Sequence, residues 1–158
     1  MSQNPLRIGI AGLGTVGVGV VNTLTENKDL IARRAGRDIE IVSVFAKNKS
    51  KDRGVDVSAY HWPDDPFDML EGLDCLVELI GGSEGIAKDL VQAALERSIN
   101  VVTANKALLA HHGYEFSKIA ESNGVCLYGE AAVAGGIPVL KSLREGLSAN
   151  KITGIYGI

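Results

Sequence analysis

Three stretches of this 158-residue chain set chemically useful groups beside one another. The first is Gly12-Leu13-Gly14-Thr15-Val16-Gly17, a GxGxxG run that directly follows a short apolar segment. In this spacing Gly12 permits a tight turn, Gly14 lets the backbone approach a pyrophosphate, and Gly17 allows close helix–strand contact. The N–H groups at the helix start, including those of Thr15 and Val16, would then hold the phosphates. A glycine turn without a ligand is the plainer alternative, because such turns are common. The second stretch is Thr103-Ala104-Asn105-Lys106. A lysine at a helix N-terminus faces the positive end of the helix dipole, which makes best sense beside an anion. The alternative is a lysine that points into water. The third stretch is the small-residue run from Tyr128 to Gly136, which contains Glu130. Its accessible backbone carbonyls suit a hard cation with oxygen ligands. The Glu130 carboxylate itself reads equally as a substrate or metal contact and as a surface ion-pair partner.

Two further positions bear on what would bind. A dinucleotide site for NAD usually carries an acidic residue at the end of the second strand, on the ribose 2′-hydroxyl. This chain has Ala46-Lys47-Asn48-Lys49 there, with Lys51 and Arg53 close behind. A cation at Lys47 suits a 2′-phosphate and favours NADP over NAD; a solvated basic loop is the other reading. Gly81-Gly82 follows an apolar run and removes side-chain bulk beside a bound ring. His111 and His112 are adjacent, so on a helix they diverge by about 100° and make a poor metal pair. With His61 they read as surface or boundary residues.

These groups need strand ends and helix starts to hold them, and the hydropathy pattern supplies both. Strands are expected at 6–11, 39–46, 73–80, 100–103 and 125–128, with a final one at 151–158. Helices are expected after the first glycines, over 85–97, from the Asn105 cap to 122, and after Gly135-Gly136 with Pro138 in the first turn. Val16, Val20 and Leu24 form the expected inward stripe of the first helix, and Ile86, Leu90, Ala94 and Leu95 that of the second. Residues 47–72 read as a charged loop with one short strand or turn. Asn123-Gly124 ends its helix with residues that tolerate the left-handed conformation. Near-continuous apolar strands alternating with helices predict an α/β fold with a doubly wound, mostly parallel sheet of the Rossmann-like kind.

Composition agrees with one globular domain. Hydrophobic residues make up 46% and charged residues 22%, an ordinary balance that argues against disorder. A net charge of −3 gives no electrostatic footprint for nucleic acid or a membrane surface. No apolar run approaches the roughly 20 residues needed to span a bilayer, and the N-terminal residues lack the apolar stretch of a signal peptide. Cys75 and Cys126 lie in apolar runs and are expected as buried free thiols of a reducing cytoplasm.

Taken together, the glycine run, Val101-Val102-Thr103-Ala104-Asn105-Lys106 and Glu130-Ala131-Ala132-Val133-Ala134-Gly135-Gly136-Ile137-Pro138 resemble homoserine dehydrogenase, as does the tail 147–158. The resemblance covers essentially the whole chain. It implies NAD(P)-dependent interconversion of L-homoserine and L-aspartate 4-semialdehyde by hydride transfer, in threonine and methionine biosynthesis. It implies that Lys106 lies beside the nicotinamide and the reacting centre, as the catalytic residue of this part. Gly12, Gly14, Thr15, Val16, Gly17, Lys47, Ile80, Gly81, Thr103 and Asn105 then contact the cofactor. A monovalent cation, sodium, would sit on carbonyls of Glu130, Val133, Gly135 and Ile137. Residues 1–150 then form the NAD(P)-binding domain, and 151–158 open a substrate and dimerisation domain that is otherwise absent. That part would bring the acidic substrate ligands, a second lysine and most contacts of a homo-oligomer, so the 158 residues alone are expected to be inactive. The alternatives are a related dehydrogenase of another amino-acid-derived substrate and a non-catalytic NAD(P)-sensing module.

Overall fold

The computed structural model describes residues 4–135 and 137–157. Gly136, expected at the entry to the last helix, and Ile158, expected to end the last strand, lie outside the described residues. The chain alternates strand and helix: β1 (Leu6–Ala11), α1 (Thr15–Glu26), α2 (Lys28–Ala35), β2 (Ile39–Phe45), β3 (Cys75–Glu78), α3 (Ile86–Glu96), β4 (Asn100–Thr103), α4 (Lys106–Ser122), β5 (Leu127–Tyr128) and the short α5 (Val139–Lys141), which continues as a wider π-type turn over Ser142–Gly146. The five strands form one sheet in the order β2-β1-β3-β4-β5. Every pairing is parallel.

Both faces of this sheet are covered, which is why its strands lack a polar side. Ile8 and Ile10 of β1 and Cys75 of β3 pack with Val21 of α1 on one face. Ala11 and Leu76 pack on the other with Leu90, Val91, Ala94 and Leu95 of α3 and Leu108, Phe116 and Ala120 of α4. The alternation of side chains along each strand assigns the two sets. The chain therefore winds to one side of β1 through α1 and to the other through α3. The switch in direction falls between β1 and β3, and in open α/β sheets ligands bind at the carboxyl ends of the strands beside such a switch.

Four expectations change. The inward stripe of α1 is set by Gly17 and Val21, with Val20 and Leu24 flanking, whereas Val16 is 57% exposed. The glycine turn rotates the start of α1 so that position 16 opens to solvent. In α3 the buried positions are Ala87, Leu90, Val91, Ala94 and Leu95, and Ile86 lies at the boundary, so the stripe is one residue wider than a strict i, i+4 repeat. Residues 151–157 make no strand pairing, because a strand with no neighbour leaves its N–H and C=O groups to water. Cys126 is exposed whereas Cys75 is buried, because the fifth strand begins only at Leu127; burial pushes the Cys75 thiol up to about 11. Within 47–72, His61 bridges to Ser43 beside β2, and Pro66–Leu70 forms a 3₁₀ turn capped by Asp65.

Candidate dinucleotide site

The glycine run leaves β1 and enters α1 in a turn set by what its glycines lack. Gly12 has φ +106°, and a Cβ there would lie 2.4 Å from the backbone of Leu79. The ends of β1 and β3 touch at this point: Leu79 N–H donates to Ala11 C=O at 2.6 Å, and Gly12 N–H to Phe45 C=O at 2.8 Å. A Cβ on Gly17 would fall 1.9 Å from the Gly12 carbonyl oxygen, so α1 rests directly on the turn. Gly14 differs. It precedes α1 with φ −82° and no side-chain cap, and a Cβ there would meet nothing within 4 Å. The first-turn N–H groups of α1 have no intrahelical partners, and Thr15 and Val16 are exposed beside them. The result is an open cradle of backbone donors at the positive end of a helix, which fits a pyrophosphate.

The basic loop after β2 is tied to this cradle by a residue the spacing argument passed over. Half-buried Arg53 donates to Leu13 C=O at 3.2 Å, also to the carbonyls of Lys51 and Asn48, and lies over the Trp62 ring at 5.1 Å. Lys49 is held by Asp64 at 2.6 Å. Lys47 is exposed with no ion-pair partner among the described residues. Arg53 therefore fixes where the loop runs, while Lys51, like Lys47, is exposed without an ion-pair partner among the described residues. The sequence places Arg53 in the basic run but does not mark its partners, which are carbonyls brought to it by the fold.

At the ends of β3 and β4 a second set of residues converges. Glu78 is completely buried. One carboxylate oxygen accepts from Ile80 N–H at 2.7 Å and Gly81 N–H at 3.4 Å, and the other accepts from the Thr103 hydroxyl at 2.6 Å. Thr103 Oγ in turn accepts from Asn105 N–H at 2.9 Å. The Asn105 side chain accepts from Leu108 N–H at 3.1 Å, capping α4 as expected, and donates to Gly82 C=O at 2.6 Å. Thr103 and Asn105 are thus buried parts of the frame, whereas Gly81, Gly82 and Lys106 are exposed at its rim. Lys106 opens α4 with no ion-pair partner among the described residues. Glu84 accepts from His112 at 2.7 Å and lies 3.6 Å from Lys88, joining the loop before α3 to α4; the His112 bond holds the Glu84 carboxyl below its ordinary range.

The small-residue loop after β5 folds on itself. The Glu130 carboxylate accepts from Lys141 N–H at 3.1 Å, and Arg144 lies 5.1 Å from the Tyr128 ring centre. Ala134 and Gly135 both have positive φ, +54° and +59°, and Pro138 immediately precedes α5. The Glu130 and Ile137 carbonyls already accept from Val133 and Val139 N–H. A carbonyl has a second lone pair to offer, so the donor set remains compatible with a hard cation.

A parallel doubly wound sheet with its glycine cradle at the switch point is a dinucleotide-binding domain. Residues 12–130 match the family described as "Homoserine dehydrogenase, NAD binding domain". The chain belongs to the homoserine dehydrogenase family and carries its NAD-binding domain, whose ligand is a nicotinamide dinucleotide. It is 49% identical to the homoserine dehydrogenase of Pseudomonas aeruginosa and 47% identical to that of Neisseria gonorrhoeae, each over 99% of this chain and 36% of the relative. A crystal structure of a homoserine dehydrogenase from Thiobacillus denitrificans superposes with a TM-score of 0.86 at 44% identity, covering 96% of this chain and 35% of that one. The chain thus spans about a third of the length of the curated relatives it matches. No described helix is long and apolar enough to cross a membrane.

Proposed function

We propose that this chain is the cofactor-holding part of a cytoplasmic enzyme that interconverts L-homoserine and L-aspartate 4-semialdehyde, with NADP(H) preferred over NAD(H). The observation that carries this reading is the placement of Lys106. It is exposed in the first turn of α4, adjacent to Asn105, whose side chain bonds the Gly82 carbonyl at 2.6 Å. The backbone that carries this cation is thus fixed beside the ends of β3 and β4, where a substrate oxygen would meet it. A bound nicotinamide supplies hydride transfer at C4. The protein groups bind and orient. The first turn of α1 holds the pyrophosphate, Lys47 the 2′-phosphate, and Gly81-Gly82 keep side-chain bulk away from the ring. Lys106 stabilises charge on the substrate oxygen and helps manage its proton.

The carbonyls of Glu130, Val133, Gly135 and Ile137 hold a monovalent cation in this reading. Its support is the pair of left-handed residues at 134 and 135 and the lone pairs left on those carbonyls. Substrate carboxylate ligands, a second lysine and the contacts of a homo-oligomer belong to residues beyond these.

The deciding experiment is homoserine-dependent NADPH production by the full-length enzyme, with Lys106→Ala lowering kcat by about 100-fold. Unchanged rate and cofactor affinity would remove Lys106 from the site, and no turnover by the wild-type enzyme would overturn the activity. The isolated 158-residue chain binds NADPH weakly and turns over negligibly. Lys47→Asp reduces the preference for NADPH over NADH in a binding titration; an intact preference would refute the role given to that lysine.

A further inference from the structure

Glu78 is the one completely buried acidic side chain among the described residues, and no Lys, Arg or His among them forms an ion pair with it. A buried carboxylate is costly to keep unless its oxygens are well satisfied. Here both are, and all the donors belong to the ends of β3 and β4 or the turn that follows β3, beside the proposed nicotinamide site. Ile80 and Gly81 donate to one oxygen and Thr103 to the other. Thr103 accepts from Asn105 N–H, and Asn105 donates to Gly82 C=O. The main chain adds a further link, Ala104 N–H to Glu78 C=O at 3.3 Å. The bonds form a closed circuit that begins and ends on the segment 78–82 and passes through 103–105.

We propose that Glu78 is a positioning residue whose carboxylate clamps the turn after β3 to the turn before α4, setting the distance between Gly81-Gly82 and Lys106. The clamp answers a specific weakness. Gly81 and Gly82 have φ of +85° and +83° and no side chains, so the turn that would line the nicotinamide has little of its own to hold it. A carboxylate supplies only acceptors, which matches two backbone N–H groups and a hydroxyl that already accepts from Asn105. Glutamine in its place keeps an acceptor for Ile80 but turns an N–H donor towards Thr103. Alanine leaves the buried donors unpaired.

The effect on Lys106 rests on the function proposed above, and two independent readouts separate the failures. In the full-length enzyme Glu78→Ala lowers kcat for homoserine by roughly tenfold to a hundredfold, as expected for misplacement of reacting groups, while KM for NADP⁺ stays within about threefold. Glu78→Gln lies between alanine and wild type. Thr103→Val, which removes the hydroxyl at nearly constant volume, shows the same split and serves if the alanine variant does not fold. Hydrogen exchange at the Ile80 and Gly81 amides accelerates in Glu78→Ala and less in Glu78→Gln. Unchanged exchange, or unchanged kcat in folded variants with accelerated exchange, overturns the proposal. A wild-type enzyme that leaves homoserine unreacted defeats the proposed function instead, and the exchange data still support or overturn the clamp.

Discussion

The two ends of the dinucleotide site are built by opposite means. At the phosphate end, position depends on missing side chains: Gly17 sits so close that a Cβ would lie 1.9 Å from the Gly12 oxygen. At the end proposed for the nicotinamide it depends on a buried side chain, Glu78, and the hydrogen-bond circuit through Thr103 and Asn105. Steric contact between backbones admits no adjustment, whereas a hydrogen-bonded turn can shift by fractions of an ångström. The first arrangement suits charge held by fixed backbone dipoles. The second would suit the role proposed for this end, where a ring and a substrate are set against Lys106.

The largest expected effect comes from breaking the steric end. Gly17→Ala drives a Cβ into backbone that cannot retreat and should cost about 3 kcal/mol or more, read as a lowered urea midpoint, with dinucleotide binding lost. A variant of wild-type stability would mean that α1 does not rest on the turn. Gly14→Ala separates binding from folding. Its φ of −82° is open to any residue and its Cβ meets nothing in the protein. Stability should therefore change little, while dinucleotide affinity falls roughly tenfold or more, about 1.4 kcal/mol, in a fluorescence titration.

At the hydrogen-bonded end, Asn105→Ala removes the cap of α4 and the bond to Gly82, with an expected loss of about 1 kcal/mol in denaturant unfolding. The smallest effect concerns the Glu84–His112 pair on the rim. Because Glu84 is held below its ordinary range, its contribution to stability is present above the unfolded value and is lost as pH falls through the folded one. Glu84→Gln should slightly lower stability near neutrality and flatten the acid side of a stability–pH curve, so that variant and wild type converge at low pH. The two cysteines give a separate check on the core. Iodoacetamide at mildly alkaline pH should modify exposed Cys126 and spare Cys75, whose thiol is raised to about 11, as read by mass spectrometry.

What was legible in the sequence follows the same division. Local patterns located β1, β4 and the Asn105 cap at their observed positions, because a buried parallel strand and an N-cap are written in adjacent residues. Residue spacing put Lys106 at a helix start. The burial of Thr103 and Asn105 inside the frame was not legible, nor was the part played by Arg53. Arg53 bonds Leu13, forty positions away in the chain, and Glu78 bonds Thr103, twenty-five positions away. Neither separation leaves a periodic trace. The exposure of Val16 escaped for a similar reason, since the turn at Gly12 sets the rotation of α1.

By itself, then, the sequence determined the alternation of strands and helices, the glycine cradle and the family, because each depends on residues close together or on motifs read in order. Only the tertiary structure decided how the strand ends meet. Parallel pairing brings β3 and β4 side by side at Glu78 and Thr103, and this contact turns an ordinary strand glutamate into the buried centre of the hydrogen-bond circuit.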